Sequence, residues 1–411
     1  MREVNSARVA RLLEGLAQFS AQAGGGVTRL AYSELDREAQ SWLLEQVQDL
    51  QLEIREDAVG NVFLRRPGLR PELPAVASGS HLDTVINGGA YDGMCGVVGA
   101  LEALHMLQDE KLERSIDVII FRAEESSRFG YATIGSKLLT GAAVPSSFAN
   151  GGRKGDVSFS EALRAWGCDP DKYQEAVLQP GHYHSFIELH IEQGRVLEAG
   201  NTQLGIVEHI AAPTRFKLHI KGQAEHSGAT PMGYRRDALV SAAKLILAVE
   251  DAAMAEKEYG TVGTVGIVEL EPGSINVIPG EVTLWVDVRG VDRESIKRTV
   301  AEIDQCANAV AVNDRVGVTV EILTADQPVA LSLKLAARTA AICEQKGFSY
   351  RRMHSGAGHD AMQMAKLCPS TMLFIPCKMG ISHNPAEFAK NEDVCRAVEV
   401  LAEFLKQEAY S

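Results

Sequence analysis

Apolar residues near the start of the chain recur at the spacing of one helix face. Val9, Leu12, Leu13 and Leu16 follow Asn5, whose side chain is a favourable N-cap, and together they predict an amphipathic helix. Charged residues interrupt these apolar positions throughout the segment. A secretory signal peptide has an uninterrupted apolar core, so the pattern predicts a structural helix instead.

Strand-like and helix-like stretches alternate through the first third of the chain. Residues 118–121 form an apolar run rich in β-branched side chains, which is typical of a buried central strand. A helical pattern at 93–107 and a strand-like stretch at 74–80 precede it. The alternation returns after residue 331 and ends in a predicted helix at 393–406. This rhythm predicts an α/β fold with a mostly parallel sheet covered by helices.

The middle of the chain has a different order of elements. Its patterns predict, in sequence, a strand, a helix, two strands, a helix and a strand, at residues 215–220, 236–257, 261–268, 281–289, 293–310 and 317–322. This β-α-β-β-α-β order is the split βαβ, or ferredoxin-like, unit. We therefore predict one α/β domain, residues 1–212 and 328–411, interrupted by an inserted domain at 213–327.

Composition excludes several classes of protein. The 411 residues are 45% hydrophobic and 23% charged, which is typical of a globular domain. A net charge of −13 argues against a nucleic-acid partner, and the apolar runs are too short to span a membrane. Seven cysteines, an odd number without a C-x-x-C pair, indicate a reduced, cytoplasmic protein.

The first candidate for chemistry is the pair His81 and Asp83. In an extended segment, residues i and i+2 face the same way, so the carboxylate can lie beside the imidazole. Such a neighbour fixes the tautomer and makes the histidine a better metal ligand. The alternative is an exposed histidine with a solvated aspartate.

Three acidic residues follow further along. Asp92 precedes the helix predicted at 93–107, so it is either the N-cap of that helix, a metal ligand, or both. Glu124 and Glu125 come directly after the strand at 118–121, where ligands bind in open α/β sheets. Two buried carboxylates repel each other unless cations neutralise them. The alternative for this pair is a solvated start of a loop.

Two more histidines complete the set. His190 lies between apolar neighbours, where a histidine is more often a satisfied core residue, and His383 lies in a polar turn after a predicted strand. Each motif is weak alone. Together they provide imidazoles and carboxylates at predicted strand ends and turns of one domain, which suits a carboxylate-bridged pair of Zn²⁺ or similar ions.

With these residues the chain resembles the M20 metallopeptidase family. More narrowly, it is similar to the branch of N-carbamoyl-L-amino-acid hydrolases, β-ureidopropionases and allantoate amidohydrolases. The similarity spans nearly the whole chain in family order. The matching stretches are residues 78–84, 92–93, 123–125, 127–129, 188–194, 230–233, 355–360 and 382–385, with His226, Asn276 and Pro279.

The resemblance implies roles for the metal-site residues. It implies two divalent ions per subunit, Zn²⁺ or alternatively Mn²⁺, Co²⁺ or Ni²⁺, with Asp92 bridging. One ion would also be held by His81 and His190, and the other by Glu125 and His383. Glu124 would be the general base for the attacking water, and Asp83 would orient His81.

The resemblance also implies contacts with substrate and partner. Arg289 would bind the substrate carboxylate, since a guanidinium can make two charge-assisted hydrogen bonds to it. His226 would stabilise the oxyanion, reaching the active site of a partner subunit in a homodimer joined through the inserted domain. The other implied substrate contacts are Gln193, Arg215, Asn276 and Gly356.

The function that follows is hydrolysis of a linear, non-peptide C–N bond. The expected reaction converts an N-carbamoyl-L-amino acid and water to the L-amino acid, CO₂ and ammonia. Alternatives within the class are allantoate hydrolysis and removal of an N-formyl or N-acyl group. An alternative from another class is a non-catalytic metal-binding protein of the same fold. Small-molecule substrates are expected, with no nucleic acid and no membrane.

Overall fold

The structure, a computed structural model, describes residues 1–22, 25–149 and 157–410. The chain forms two compact units. The first unit comprises Met1–Glu208 and Ala330–Ser411, and the second unit comprises His209–Val329. The insert predicted at 213–327 falls within the second unit.

The elements of the chain as far as residue 210 include both helices and strands. In order they are α1 (Ser6–Ala17), α2 (Glu34–Gln46), β1 (Glu53–Glu56), β2 (Val62–Arg66), β3 (Ala75–His81), α3 (Met94–Met106), β4 (Ile116–Phe121), α4 (Ile134–Leu139), α5 (Phe159–Trp166), β5 (Tyr183–Ile191), α6 (Val196–Ala199) and β6 (Leu204–Ile210).

The remaining elements fall into two groups. Those up to residue 325 are β7 (Ala212–Lys221), β8 (Glu225–His226), α7 (Ala238–Ala255), β9 (Val262–Glu271), β10 (Val277–Ile278), β11 (Glu281–Gly290), α8 (Arg293–Asp314) and β12 (Gly317–Ala325). Those after it are β13 (Val329–Ala330), α9 (Leu333–Lys346), β14 (Tyr350–Ser355), α10 (Asp360–Met364), β15 (Ser370–Ile375) and α11 (Asn391–Tyr410).

The central sheet of the first unit is mixed. Its strands run in the order β1-β2-β4-β3-β5-β15-β6-β13, and β14 also pairs with β6. The four central strands β4, β3, β5 and β15 are parallel, whereas β1, β2 and β6 join antiparallel. The predicted α/β class is confirmed, and the parallel part of the sheet is its centre. Helix α3 is buried along its whole length, as expected for a helix enclosed in such a fold.

The second unit contains a four-stranded antiparallel sheet. The strand order β12-β7-β11-β9 is that of the split βαβ unit, with the first and third strands in the centre. Along β7, Phe216, Leu218 and Ile220 are buried in the core that α7 and α8 complete. Arg215, Lys217 and His219 alternate with these buried residues and lie on the opposite face, because successive side chains of a strand point to opposite faces.

Two further observations bear on the sequence-based exclusions. All seven cysteines carry free thiols. Among the described residues, no helix combines the length and the apolar character that crossing a bilayer requires.

Candidate active site

The candidate metal ligands of the first unit lie at the ends of its central parallel strands. His81 is the last residue of β3, and Glu124 and Glu125 follow the end of β4. His190 is the penultimate residue of β5, and His383 follows β15. Because parallel strands bring their carboxyl ends to one edge of the sheet, residues far apart in sequence converge there.

Asp92 lies at the centre of this cluster. Its Oδ1 atom is 3.1 Å from His190 Nε2 and 3.5 Å from His81 Nε2. Its Oδ2 atom is 3.4 Å from His383 Nε2, which is itself 3.2 Å from Glu125 Oε1. The two oxygens of one carboxylate therefore face two different groups of side chains.

Gly93 determines how Asp92 is presented. The N-cap of α3 is Gly93, with a φ of 68°, and not Asp92, so the N-cap interpretation of Asp92 was wrong. A Cβ atom at Gly93 would lie 2.5 Å from His81 Cε1. Only glycine fits both this backbone conformation and this space. The Asp92 carboxylate faces the histidines.

The backbone sets the tautomers of the two buried histidines. His81 Nδ1 is 2.9 Å from the carbonyl oxygen of Asp83, and His190 Nδ1 is 3.0 Å from that of Ile191. A carbonyl oxygen can only accept, so each Nδ1 carries a proton, and in the neutral ring Nε2 is the nitrogen that carries the lone pair. The backbone N–H of Gly93 donates to His190 Nε2 at 3.2 Å, which agrees. This is the tautomer a metal ligand needs.

The Asp83 carboxylate has a different role from the one expected. Its Oδ1 atom is 3.8 Å from His81 Nδ1, too far for a hydrogen bond. Instead, Oδ1 accepts a hydrogen bond from the backbone nitrogen of Glu124 at 3.2 Å, and Oδ2 accepts one from that of Glu125 at 3.0 Å. Asp83 orients His81 through its carbonyl group and fixes the two glutamates through its carboxylate.

Glu124 and Glu125 point to different histidines. Glu124 Oε2 is 3.8 Å from His81 Nε2, whereas Glu125 contacts His383. Burial raises the pKa of Glu124 well above its usual value, and His81 opposes this effect. A buried carboxyl with a raised pKa suits a group that accepts and returns a proton.

Glu387 and Ser382 support the cluster, and the sequence reasoning assigned neither of them a role. Glu387 Oε1 accepts hydrogen bonds from the backbone nitrogens of Tyr91 and Asp92, both at 3.0 Å. The Ser382 hydroxyl lies 2.8 Å from Glu387 Oε2 and 2.9 Å from Asp92 Oδ2. No sequence motif links Glu387 to Asp92, and only the position of Ser382 beside His383 could have drawn attention to it.

Gln193 and His359 also contact the cluster. Gln193, for which a substrate contact was predicted, donates from Nε2 to Asp92 Oδ2 at 2.6 Å. The His359 ring lies 4.5 Å from the His190 ring, and its Nε2 is 2.8 Å from the Ser355 hydroxyl. Gly356 follows β14, and a Cβ atom there would meet open space.

The donor atoms fit divalent metal ions. Two groups, His81-Asp92-His190 and Asp92-Glu125-His383, each have potential ligand atoms within 4.8 Å of one another. Imidazole nitrogens and carboxylate oxygens are donors for Zn²⁺ and for similar first-row ions. Asp83, Asp92, Glu124 and Glu125 are all buried. Cations would offset the repulsion between these charges.

The remaining predicted site residues lie in the second unit. Arg215 on β7 and Arg289 on β11 both bind the carboxylate of Asp287. His226 lies on β8, which pairs with β10, and the carbonyl of Asn276 accepts a hydrogen bond from Ser227. The structure thus brings the two arginines together and places His226 beside Asn276 on a separate ladder.

Most of the chain matches the model of a known protein family. Residues 77–407 match the model of peptidase family M20/M25/M40. The chain belongs to this family. Enzymes of the family use divalent metal ions, for which the two groups around Asp92 are the candidates.

Similar proteins narrow the chemistry. The chain is 39% identical to a ureidoglycolate hydrolase of Arabidopsis thaliana, over 95% of this chain and 84% of that one. It is 38% identical to an N-carbamoyl-L-amino acid amidohydrolase of Geobacillus stearothermophilus, over 95% of both chains. A solved amidase of the hydantoinase/carbamoylase family from Burkholderia multivorans matches with a TM-score of 0.91 and 31% identity, over 100% of this chain and 99% of that one. Within family M20/M25/M40, this chain is an amidohydrolase acting on a non-peptide C–N bond.

Proposed function

We propose that the protein hydrolyses N-carbamoyl-L-amino acids to the L-amino acid, CO₂ and ammonia, with two divalent ions per subunit. The observation that carries the proposal is Asp92, whose two oxygens face two separate ligand groups. The names of the relatives support the substrate class. N-carbamoyl amino acids and ureidoglycolate both bear a ureido group on the carbon next to a carboxylate.

Each proposed ion has a defined set of ligands in the first unit. His81, Asp92 and His190 would hold one, and Asp92, Glu125 and His383 the other. Zn²⁺, Mn²⁺, Co²⁺ and Ni²⁺ all accept this mixture of nitrogen and oxygen donors. When bound, such ions polarise a carbonyl group and make water a better nucleophile at neutral pH.

The chain itself supplies the proton transfers. Glu124 accepts a proton from the water that attacks the ureido carbon, and returns it to the nitrogen that leaves with the amino acid. The other product is carbamic acid, which decomposes to CO₂ and ammonia. The hydrogen bonds that Asp83 accepts fix the backbone of Glu124 and Glu125, whose side chains contact different histidines.

His226 is proposed as a donor to the developing oxyanion. Its Nδ1 accepts hydrogen bonds from the backbone nitrogens of Gly228, at 3.1 Å, and Ala229, at 3.2 Å. A nitrogen that accepts from N–H groups has no proton, so Nε2 of the neutral ring carries it and can donate. Arg289 is proposed to bind the substrate carboxylate, with Gln193, Arg215, Asn276 and Gly356 as further contacts.

A homodimer through the second unit is part of the proposal. Large apolar side chains of α7 and of the edge strand β9 are exposed, namely Leu239, Val240, Leu247, Met254, Val262, Ile267, Val268 and Leu270. Exposed apolar surface next to an unpaired strand edge favours association. A two-fold axis at this edge would continue the sheet from one copy to the next.

The free thiols support a reducing, cytoplasmic setting.

Allantoate and N-formyl or N-acyl amino acids remain alternative substrates. A non-catalytic binding protein is the alternative from another class, and the buried Glu124 argues against it, because a binding protein needs no general base.

A substrate panel tests the proposal. Ammonia and amine release would be measured from metal-loaded protein with N-carbamoyl-L-amino acids, ureidoglycolate, allantoate, N-formyl and N-acyl amino acids, and a dipeptide. We expect the highest kcat/KM with an N-carbamoyl-L-amino acid. A higher kcat/KM with allantoate or ureidoglycolate would reassign the substrate. If no compound of the panel is hydrolysed, the result would support the alternative of a non-catalytic binding protein.

A further inference from the structure

Asp287 in the second unit lies between two arginine side chains. Arg289 donates to Asp287 Oδ1 from Nε at 2.8 Å and to Oδ2 from Nη2 at 2.9 Å. Arg215 donates from Nε to Oδ2 at 2.9 Å. Burial raises the pKa of Asp287, but the hydrogen bonds and charges of the two arginines lower it below its usual value. Asp287 is therefore ionised at neutral pH and bound by both cations.

The strand geometry explains this arrangement. Asp287 and Arg289 are two residues apart on β11, so both side chains lie on the same face of the sheet. Arg215 is directly opposite Asp287 in the antiparallel ladder between β11 and β7. Directly opposite residues are close enough for their side chains to interact. The trio is thus fixed by the register of two central strands.

Asp287 uses only part of the donor capacity of the two guanidinium groups. A guanidinium has five N–H donors. Arg289 uses its Nε–Nη2 edge for Asp287, and Arg215 uses Nε alone. The terminal Nη edge of each side chain keeps N–H groups that do not bind Asp287. Such a terminal edge can bind a second carboxylate through two parallel hydrogen bonds.

A cavity of about 540 Å³ lies beside the trio. Arg215, Asp287 and Arg289 line it, together with the apolar side chains of Ile267 and Leu323. Apolar walls with a few fixed polar groups are typical of small-molecule sites. Two cations and one anion leave one positive charge, which complements a single carboxylate.

We propose that Asp287 is a positioning residue that holds Arg215 and Arg289 as a pair for the substrate carboxylate. The proposal rests on the proposed function, because it assumes a ureido acid as substrate. Without Asp287 each arginine side chain is free to change rotamer, and the two like charges repel each other. Binding of the carboxylate then has to order both side chains, which weakens it.

The experiment compares Asp287→Ala and Asp287→Asn with the unchanged protein. Each is assayed with the preferred ureido acid and with its carboxamide, in which the carboxylate is replaced by an uncharged amide. We expect Asp287→Ala to raise KM for the acid about tenfold to a hundredfold, with kcat changed less than about threefold and little effect on the carboxamide. Asp287→Asn keeps one acceptor oxygen and should be intermediate.

Glu321→Gln is the matched control. Glu321 lies on β12 in the same sheet and contacts Lys217 and His219, not the arginine pair. We expect its KM values and melting temperature to match those of the unchanged protein. If Glu321→Gln raised KM as much as Asp287→Ala does, the loss of any negative charge from this sheet would have the same effect. That result would overturn the proposal.

A second measurement does not depend on turnover. Phenylglyoxal modifies arginine side chains, and the rate at each position can be followed by mass spectrometry of peptides. We expect faster modification of Arg215 and Arg289 in Asp287→Ala than in the unchanged protein or in Glu321→Gln. Equal rates, or equal losses of kcat/KM on acid and carboxamide, would overturn the positioning role. Failure of the unchanged protein to hydrolyse any ureido acid would instead overturn the proposed function, and the modification rates would still decide the role of Asp287.

Discussion

Glu387 accepts a 3.0 Å hydrogen bond from the backbone nitrogen of Asp92, 295 residues away in the sequence. The same carboxylate contacts the hydroxyl of Ser382, the neighbour of His383. One buried side chain therefore joins the two segments that carry the bridging aspartate and the last histidine of the cluster. Side chains of this kind orient the ligands of a metal without touching the ion.

Replacing Glu387 should weaken metal binding. We expect Glu387→Ala to lower the affinity for the ion assigned to Asp92, Glu125 and His383 about 10- to 100-fold, as is usual when such a support is lost. Glu387→Gln keeps an oxygen that can accept from the backbone of Asp92 and should lose much less. The metal affinity of each variant is measured by isothermal titration calorimetry of the metal-free protein. Glu392→Ala, at an exposed position of α11, is the control, and equal affinities in all variants would contradict the expected role.

The second prediction separates Glu124 from Glu125. Glu124→Gln should keep about two ions per chain and lose roughly 10²–10⁴-fold in kcat, because the proton acceptor is gone while the ligands remain. Glu125→Gln should bind metal more weakly, since Glu125 contacts His383. Metal content by plasma mass spectrometry and kcat at saturating metal provide the comparison. If Glu124→Gln lost metal while Glu125→Gln kept it and lost kcat, Glu125 would be the general base and Glu124 the metal ligand.

The third prediction concerns metal removal. Chelation should abolish activity, because it removes the ions that would polarise the carbonyl group and activate the water, and Zn²⁺, Mn²⁺ or Co²⁺ should restore it. Activity and metal content would be followed together during reconstitution. Undiminished activity in protein shown to contain no metal would remove the basis for the assignment around Asp92.

The fourth prediction tests whether His226 acts in a partner subunit. Glu124→Gln and His226→Ala are each expected to be inactive, and they would be mixed under conditions that exchange subunits. One site of each mixed dimer would then hold both intact groups. With random exchange half of the dimers are mixed, so about a quarter of the activity of the unchanged protein should return.

The control for this experiment pairs Glu124→Gln with Glu125→Gln. Both residues belong to the first unit, so no mixed dimer contains a complete site and no activity should return. Subunit exchange is verified independently with tagged copies. If the pair with His226→Ala also stays inactive after verified exchange, His226 acts within its own chain.

Local patterns predicted the elements of the fold well. Helix α1 begins at Ser6 with Asn5 as N-cap, and the Asn5 side chain accepts from the backbone nitrogen of Arg8 at 3.0 Å, as the apolar spacing indicated. Strand β11 spans Glu281–Gly290, and the prediction was 281–289. The agreement is close because buried residues alternate strictly with more exposed ones along this strand. Both signals arise from neighbours in sequence, which is why sequence alone reveals them.

The contacts that shape the candidate site could not be predicted in the same way. Asp92 has the residue type of an N-cap, but Gly93 is the N-cap, and the Asp92 carboxylate contacts histidines of other segments. Glu387 lies in a loop without any periodic pattern, and its partners are backbone groups of a distant segment. Such contacts depend on the folded sheet, so they leave no local signature.

The burial of the three histidines differs in a way that affects the two proposed ions unequally. The side chain of His383 is 50% exposed, whereas those of His81 and His190 are 2% and 1% exposed. An ion bound through His383 can exchange its ligands with solvent, while one enclosed by His81 and His190 has to leave through the protein. The two ions would then have different lifetimes on the enzyme. Protein prepared in a medium rich in one metal could therefore retain one ion from the cell and acquire the other from the buffer.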